Sequence, residues 1–61
     1  MNRIKSTRVK KIINSCIYWM NCDEQSLFRD EVRYLIKEAG EDHPLVESFL
    51  NNPKVNEFLN K

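Results

Sequence analysis

The chain has 61 residues, with 10 basic and 9 acidic side chains, one histidine and two cysteines, for a net charge of +1. A domain of this size buries only about 60% of the surface of its unfolded chain, so it has little room for the pocket of several hundred cubic ångströms that an enzyme needs. With no Gly-rich phosphate loop, nucleophile elbow or paired-carboxylate motif, and fewer Cys and His residues than the four ligands of a structural zinc, we expect no enzyme, cofactor or metal site.

The first predicted element is an amphipathic helix over about residues 7–21. Its apolar residues recur at i, i+3, i+4, i+7, i+8 and i+11, which is the period of a helix. The side-chain oxygen of Ser6 or Thr7 would cap the first turn, and residues 1–6, with Arg3 and Lys5, would form a flexible basic arm before it. The stripe consists of Val9, Ile12, Ile13, Cys16, Ile17 and Met20.

Residues 1–22 contain five basic residues and no acid, a composition that mitochondrial presequences share. Their removal would delete about a third of an already minimal core, which favours a structural helix. The longest apolar stretch, residues 16–20, is far shorter than the roughly 20 residues that span a bilayer. We therefore expect a cytoplasmic protein without a membrane segment.

The two cysteines are predicted to be free thiols. Cys16 and Cys22 are six residues apart in one predicted helix, which separates them by about 9 Å. A disulfide requires Cα atoms within about 7 Å of each other. Free thiols fit a reducing compartment, and without a disulfide or metal the remaining source of extra stability is association.

The second predicted helix covers about residues 24–39. Asp23 would cap it, and Glu24 would add a negative charge where the helix dipole favours one. Gly40 follows the last turn, where helices commonly end in a left-handed residue. The expected core face consists of Phe28, Val32, Leu35, Ile36 and Ala39.

The last third of the chain contains a repeat with a period of nine residues. The two units begin at Pro44 and Pro53 and match at Pro, Val, Phe, Leu and Asn. Proline is favoured at the first position of a helix and disrupts its interior. The repeat therefore predicts two short helices, at about 44–51 and 53–60, with a break at Asn51-Asn52 and His43 in a loop or cap. No segment alternates with the period of a strand, so the expected fold is an all-α bundle of two longer and two short helices in a single domain, residues 1–61.

The charges on the second helix allow two interpretations. One flank carries a row of basic residues at i, i+4 and i+8, namely Arg29, Arg33 and Lys37. The opposite flank carries Glu24, Glu31 and Glu38, with Leu27 and Tyr34 beside them. In the first interpretation these flanks are solvated or compensated by Glu41, Asp42 and Glu47, and Leu27 and Tyr34 receive the short helices. In the second, the bases bind an anionic partner.

Two neighbouring aromatic residues provide a further indication. Trp19 lies at the edge of the apolar stripe, where partial burial is expected, and Tyr18 lies on the polar face. Exposed aromatic side chains beside basic residues are favoured in protein interfaces.

From these features we expect a small non-enzymatic binding module that regulates or inhibits a larger partner protein by occupying its surface. The many Asn, Lys and Ile residues suggest an AT-rich genome, such as that of a phage, a mobile element or a low-GC bacterium. A nucleic-acid-binding accessory protein that uses the basic N-terminal segment is the alternative, and a homodimer is a further option. Binding to anionic lipid is disfavoured because the apolar face of the first helix is needed for the core. The residues expected to contact a partner are Arg8, Lys10, Lys11, Tyr18, Trp19, Arg29, Arg33 and Lys37.

Overall fold

A computed structural model describes residues 4–60, and over this range the chain forms four helices and no strand. The helices are α1 (Ser6–Asn21), α2 (Gln25–Ala39), α3 (Pro44–Leu50) and α4 (Pro53–Leu59). The predicted fold of two longer and two short Pro-initiated helices is confirmed. Residues 1–3 of the predicted basic arm, including Arg3, lie outside the described residues, and Ser6, its last residue, is the first residue of α1.

The first turn of α1 has no side-chain cap. The N-cap residue is Lys5, which is extended, and its carbonyl accepts hydrogen bonds from the backbone N–H groups of Arg8 and Val9, both at 3.0 Å. Ser6 is already the first helical residue. The prediction that Ser6 or Thr7 caps this helix was therefore wrong, because both residues already lie inside the first turn.

Asp23 closes α1 and does not cap α2. Its φ of 59° is left-handed, and its N–H donates to the Met20 carbonyl at 3.1 Å. The N–H of Glu24 donates to the Trp19 carbonyl at 3.0 Å, which completes a Schellman motif. The N-cap of α2 is Glu24, without a side-chain cap hydrogen bond. The predicted cap role of Asp23 was wrong because the end of α1 uses this residue first.

Gly40 ends α2, as predicted, but not in the left-handed helical conformation. Its φ of 88° and ψ of 149° lie in a region that is nearly restricted to glycine. Its N–H donates to the Ile36 carbonyl at 2.8 Å. A Cβ atom at this position would lie 2.9 Å from Oδ1 of Asp42, so both the backbone and the space favour glycine.

The two short helices begin in the same way. Nδ1 of His43 accepts a hydrogen bond from the N–H of Leu45 at 3.2 Å, and Oδ1 of Asn52 accepts one from the N–H of Lys54 at 2.9 Å. Each of these residues is the N-cap directly before the proline. The predicted break at Asn51-Asn52 is confirmed, and His43 acts as the helix cap that its position indicated.

The core lies where all four helices meet, and the rings of Phe28 and Phe58 pack edge to face in it, with centroids 4.9 Å apart. The predicted stripe of α1 is buried along its centre, whereas Ile13 and Met20 are half-buried and Ile17 is exposed. The buried apolar residues are Val9, Ile12, Cys16, Phe28, Val32, Leu35, Val46, Phe49, Val55 and Phe58.

The short helices pack on one side of the hairpin formed by α1 and α2. Helix α3 contacts α1 and α2, and α4 contacts α2 and α3. Nε2 of Gln25 donates to the Phe58 carbonyl at 3.3 Å, and Nη2 of Arg29 donates to the Leu59 carbonyl at 3.1 Å. Leu27 and Tyr34, on the other flank of α2, stay 42% and 38% exposed. The interpretation in which these two residues receive the short helices was therefore wrong.

Candidate interaction surfaces

The side of the α1–α2 hairpin opposite α3 and α4 is a first candidate surface, here named the open side. A hydrogen bond from Nη2 of Arg8 to the hydroxyl of Tyr34, 3.0 Å long, crosses from α1 to α2 on this side. The bond joins the first turn of α1 to the third turn of α2. The open side consists of Arg8, Ser15 and Trp19 of α1 and Leu27, Glu31, Tyr34 and Glu38 of α2.

Residues on the open side follow the spacing of helices that pack along their length. On α2 they recur at steps of four, three and four residues from Leu27 to Glu38, and on α1 the same steps lead from Arg8 through Ile12 and Ser15 to Trp19. The average step of about 3.7 residues is close to the 3.6 residues of one helical turn, so each row stays on one side of its helix. Both helices of the hairpin thus present a continuous seam to this side.

The outer face of α1 is a second candidate surface. A helix turns about 100° per residue, which groups Thr7, Lys10, Lys11, Asn14 and Tyr18 on one face. All five are exposed, as their position away from the core requires, and the helix contains no acidic residue. This face is therefore basic and carries one aromatic side chain.

Tyr18 is held in place by its neighbour. Its side chain is 60% exposed, and its ring packs edge to face against Trp19, with centroids 5.0 Å apart and an angle of 71° between the planes. Trp19 is half-buried against the core, as predicted. This ring contact limits the rotamers of the exposed Tyr18 side chain. A side chain with few rotamers loses less entropy when a partner binds it.

The three residues of the basic row of α2 have different surroundings. Arg29 donates to the last carbonyl of α4, where a positive charge complements the helix dipole. Lys37 lies in the last turn of α2 and is favoured there for the same reason. Arg33 is exposed between them. Two of the three predicted contact residues of this row thus have a role within the fold.

The structure does not join the basic residues of the two helices into one surface. Arg33 and Lys37 lie on the face of α2 turned away from the core, as Lys10 and Lys11 do on α1. The open side lies between these faces, and α2 presents Glu31 and Glu38 there. Acidic groups between two basic faces weaken the field of a combined anion-binding surface.

Both cysteines are free, as predicted. Cys16 is fully buried, and this burial, with a smaller effect of the Glu31 charge, raises the pKa of its thiol to about 12. Cys22 is exposed at the end of α1. The two thiols therefore differ strongly in access to reagents.

Residues 4–60 enclose no pocket and bring no three potential metal ligands together. In the same range, no helix has the length and hydrophobicity to cross a membrane. Comparison with protein-family models, curated proteins and solved structures found no match to this chain. Its function is therefore argued from its surfaces.

Proposed function

We propose that this protein is a non-enzymatic binding module that regulates or inhibits a larger partner protein by occupying its surface with the outer face of α1. The observation that carries the proposal is the exposed ring of Tyr18, packed against Trp19. Aromatic side chains dominate the binding energy of many interfaces, because they bury a large area with few rotatable bonds. A ring that is already ordered loses less entropy when a partner covers it.

The charge of the same face indicates the chemistry of the partner. Lys10 and Lys11 are exposed beside Tyr18, and no acid on α1 neutralises them. Complementary charges accelerate association and select the partner more than they increase affinity. The surface that α1 covers is therefore expected to be acidic around an apolar pocket.

The setting of the protein is part of the proposal. Two free thiols fit a reducing compartment, which we take to be a bacterial cytoplasm. The abundance of Asn, Lys and Ile supports a phage or mobile-element gene as the source. A chain of 61 residues leaves little room for a catalytic pocket, which supports a binding role.

The test is affinity capture with the tagged full-length protein from a lysate of the encoding organism, with and without nuclease. We expect one protein to be retained in both conditions and to bind Tyr18→Ala at least about tenfold more weakly. Ile17→Ala is the matched control, since Ile17 is an exposed apolar neighbour whose side chain points about 100° around the helix from that of Tyr18. Equal loss with both variants, or loss of the captured protein after nuclease treatment, would contradict the proposal.

A nucleic-acid-binding role is the second candidate, and the acid-free outer face of α1 is the observation that favours it. The separation of the basic groups on α1 and α2 counts against it, because duplex binding draws on many phosphate contacts at once. The two roles predict different salt dependences.

A further inference from the structure

We propose that a second copy of this chain covers the open side and forms a two-fold symmetric dimer, in which α1 of each copy packs against α2 of the other. This inference goes beyond the proposed function, since it concerns a different side of the molecule from Tyr18. It rests on the apolar content of the open side, on its charge pattern and on its size.

The apolar content of the open side is high for a surface left in water. Leu27 and Tyr34 are 42% and 38% exposed and lie seven residues apart on one seam of α2. Trp19 adds a half-buried ring from the seam of α1. A row of this kind lies on one side of its helix and offers a surface on which a second helix can pack.

The charge pattern of the open side is self-complementary. Helix α1 brings Arg8 to this side and has no acid, whereas α2 brings Glu31 and Glu38. A surface that is basic along one helix and acidic along the other can pair with its own copy by a two-fold rotation, which gives each contact twice. Such a pattern favours a second copy over a partner of uniform charge.

The orientation of the dimer follows from the same charges. With the two-fold axis parallel to the helices, α1 faces α2 of the second copy. The rotation does not change the position of a residue along the axis, so residues that lie level within one copy also lie level across the contact. The link 22–24 places Asn21 of α1 level with Gln25 of α2, so Arg8 and Glu38, each thirteen residues further along its helix, lie level with each other. An axis perpendicular to the helices would place α1 on α1 and offer Arg8 no acid, so the parallel axis is favoured.

The open side is also large enough for a stable contact. The molecule measures 33 × 17 × 15 Å between Cα atoms, and the hairpin runs along its long dimension. A face of that extent approaches the accessible area of about 800 Å² per partner that specific interfaces bury. A 61-residue chain with free thiols and no metal cluster among its described residues has the marginal stability that association relieves.

The first test is the mass of the full-length protein in solution, measured by sedimentation equilibrium up to about 100 µM, a range that detects weak dimers. We expect twice the 7.3 kDa of one chain. Leu27→Glu should weaken the dimer by at least about a hundredfold, since it replaces an apolar residue of the contact with a charge. Ile17→Glu, an exposed apolar residue of α1 outside the open side, and Tyr18→Ala should leave the mass unchanged. A monomeric wild-type protein would overturn the proposal.

The second test uses two charged residues of the open side that lie outside the core. Arg8→Glu and Glu38→Arg should each weaken self-association by about tenfold, because both copies then bring like charges together. An equimolar mixture of the two variants should form a heterodimer with wild-type affinity. Native mass spectrometry detects this heterodimer when one of the two variants is isotope-labelled. Wild-type association of each variant alone, or failure of the mixture to recover, would rule out the pairing of α1 with α2.

Discussion

At position 16 a thiol lies within the core, beside the buried residues Ile12 and Phe28 in one cluster. Its burial raises the pKa of Cys16 from 9.0 to about 12, so the folded protein keeps this proton at pH values where the unfolded chain loses it. Because only the unfolded state releases this proton in that pH range, a rise in pH favours unfolding. The stability contributed by the protonated thiol is therefore present below pH 9 and is lost between pH 9 and about 12.

We predict that the free energy of unfolding falls between pH 9 and 10 by a slope of up to about 1.4 kcal/mol per pH unit from Cys16 alone. Urea denaturation of the wild type and of Cys16→Ala over this pH range measures the difference, because other titrating groups are common to both proteins. Cys22→Ser should retain the wild-type slope. A thiol reagent at pH 8 should modify Cys22 in the folded protein and both cysteines after denaturation.

Gly40 provides a second prediction at the scale of one residue. Gly40→Ala should lower the free energy of unfolding by about 1–3 kcal/mol, because few side chains tolerate its backbone conformation. The close approach of the added methyl group to Oδ1 of Asp42 adds to this backbone strain. Thermal or urea denaturation measures the effect, with Ser26→Ala, at an exposed position of α2, as the control. Equal stability of Gly40→Ala and wild type would contradict the strained backbone at this turn.

The sequence predicted single residues with uneven success. Gly40 and His43 were placed at helix ends because each precedes or follows a clear break in the apolar pattern. Ser6 and Asp23 were assigned as caps from residue preference alone, and such a preference does not fix the helix boundary to one residue. Asp23 also belongs to the small group of residues that adopt a left-handed conformation, and the Schellman motif uses that property.

At the scale of elements, the two short helices show how a nine-residue repeat specifies structure. Each unit has an N-cap side chain, a proline in the first turn, and a buried valine and phenylalanine on one face. Helices of two turns are unstable alone, so the caps and the buried face together hold them in place. The short helices are therefore expected to be sensitive to the loss of a single cap.

We predict that Asn52→Ala lowers the free energy of unfolding by about 1 kcal/mol, the usual cost of removing a side-chain N-cap. Asn51→Ala is a matched control, since Asn51 adjoins the cap and has a right-handed helical backbone that alanine adopts readily. Hydrogen exchange should show the loss of protection in α4 for the first variant only. Similar effects of both substitutions would show that the Asn52 hydrogen bond to Lys54 contributes nothing specific.

The helices themselves could be predicted because their apolar residues repeat at helical spacing and because proline and glycine mark the ends. The contacts between them could not. Gln25 and Arg29 bond to the carbonyls at the end of α4 only because α4 docks beside them. The sequence shows that these residues share a flank of α2, but not which segment that flank meets.

At the scale of the whole molecule, the side of the hairpin that α3 and α4 cover was the least predictable feature. Both sides offer partly apolar residues: Ile13 and Ile36 on the covered side, and Trp19, Leu27 and Tyr34 on the open side. The difference lies in the acids of α2, since Glu31 and Glu38 would be desolvated if short helices packed on them. The two acids are evident in the sequence, but the cost of desolvating them depends on the tertiary arrangement.

The separation of the basic groups predicts weak binding to nucleic acid. We expect no binding to random duplex DNA at physiological salt, as measured by fluorescence anisotropy from 50 to 200 mM. A nucleic-acid-binding protein with about four to six phosphate contacts would lose roughly a hundredfold or more in affinity over that range. Such a loss, abolished by replacing Lys10 and Lys11 with alanine and unaffected by Tyr18→Ala, would favour the alternative function.

The three-residue link between α1 and α2 also has a kinetic consequence. Because residues 22–24 join the helices directly, most of the contacts between them close small loops and cost little entropy before they form. Chains dominated by such local contacts fold in microseconds to milliseconds. The hairpin can therefore assemble before α3 and α4 dock, and the chain spends little time with its apolar surfaces exposed to other unfolded molecules.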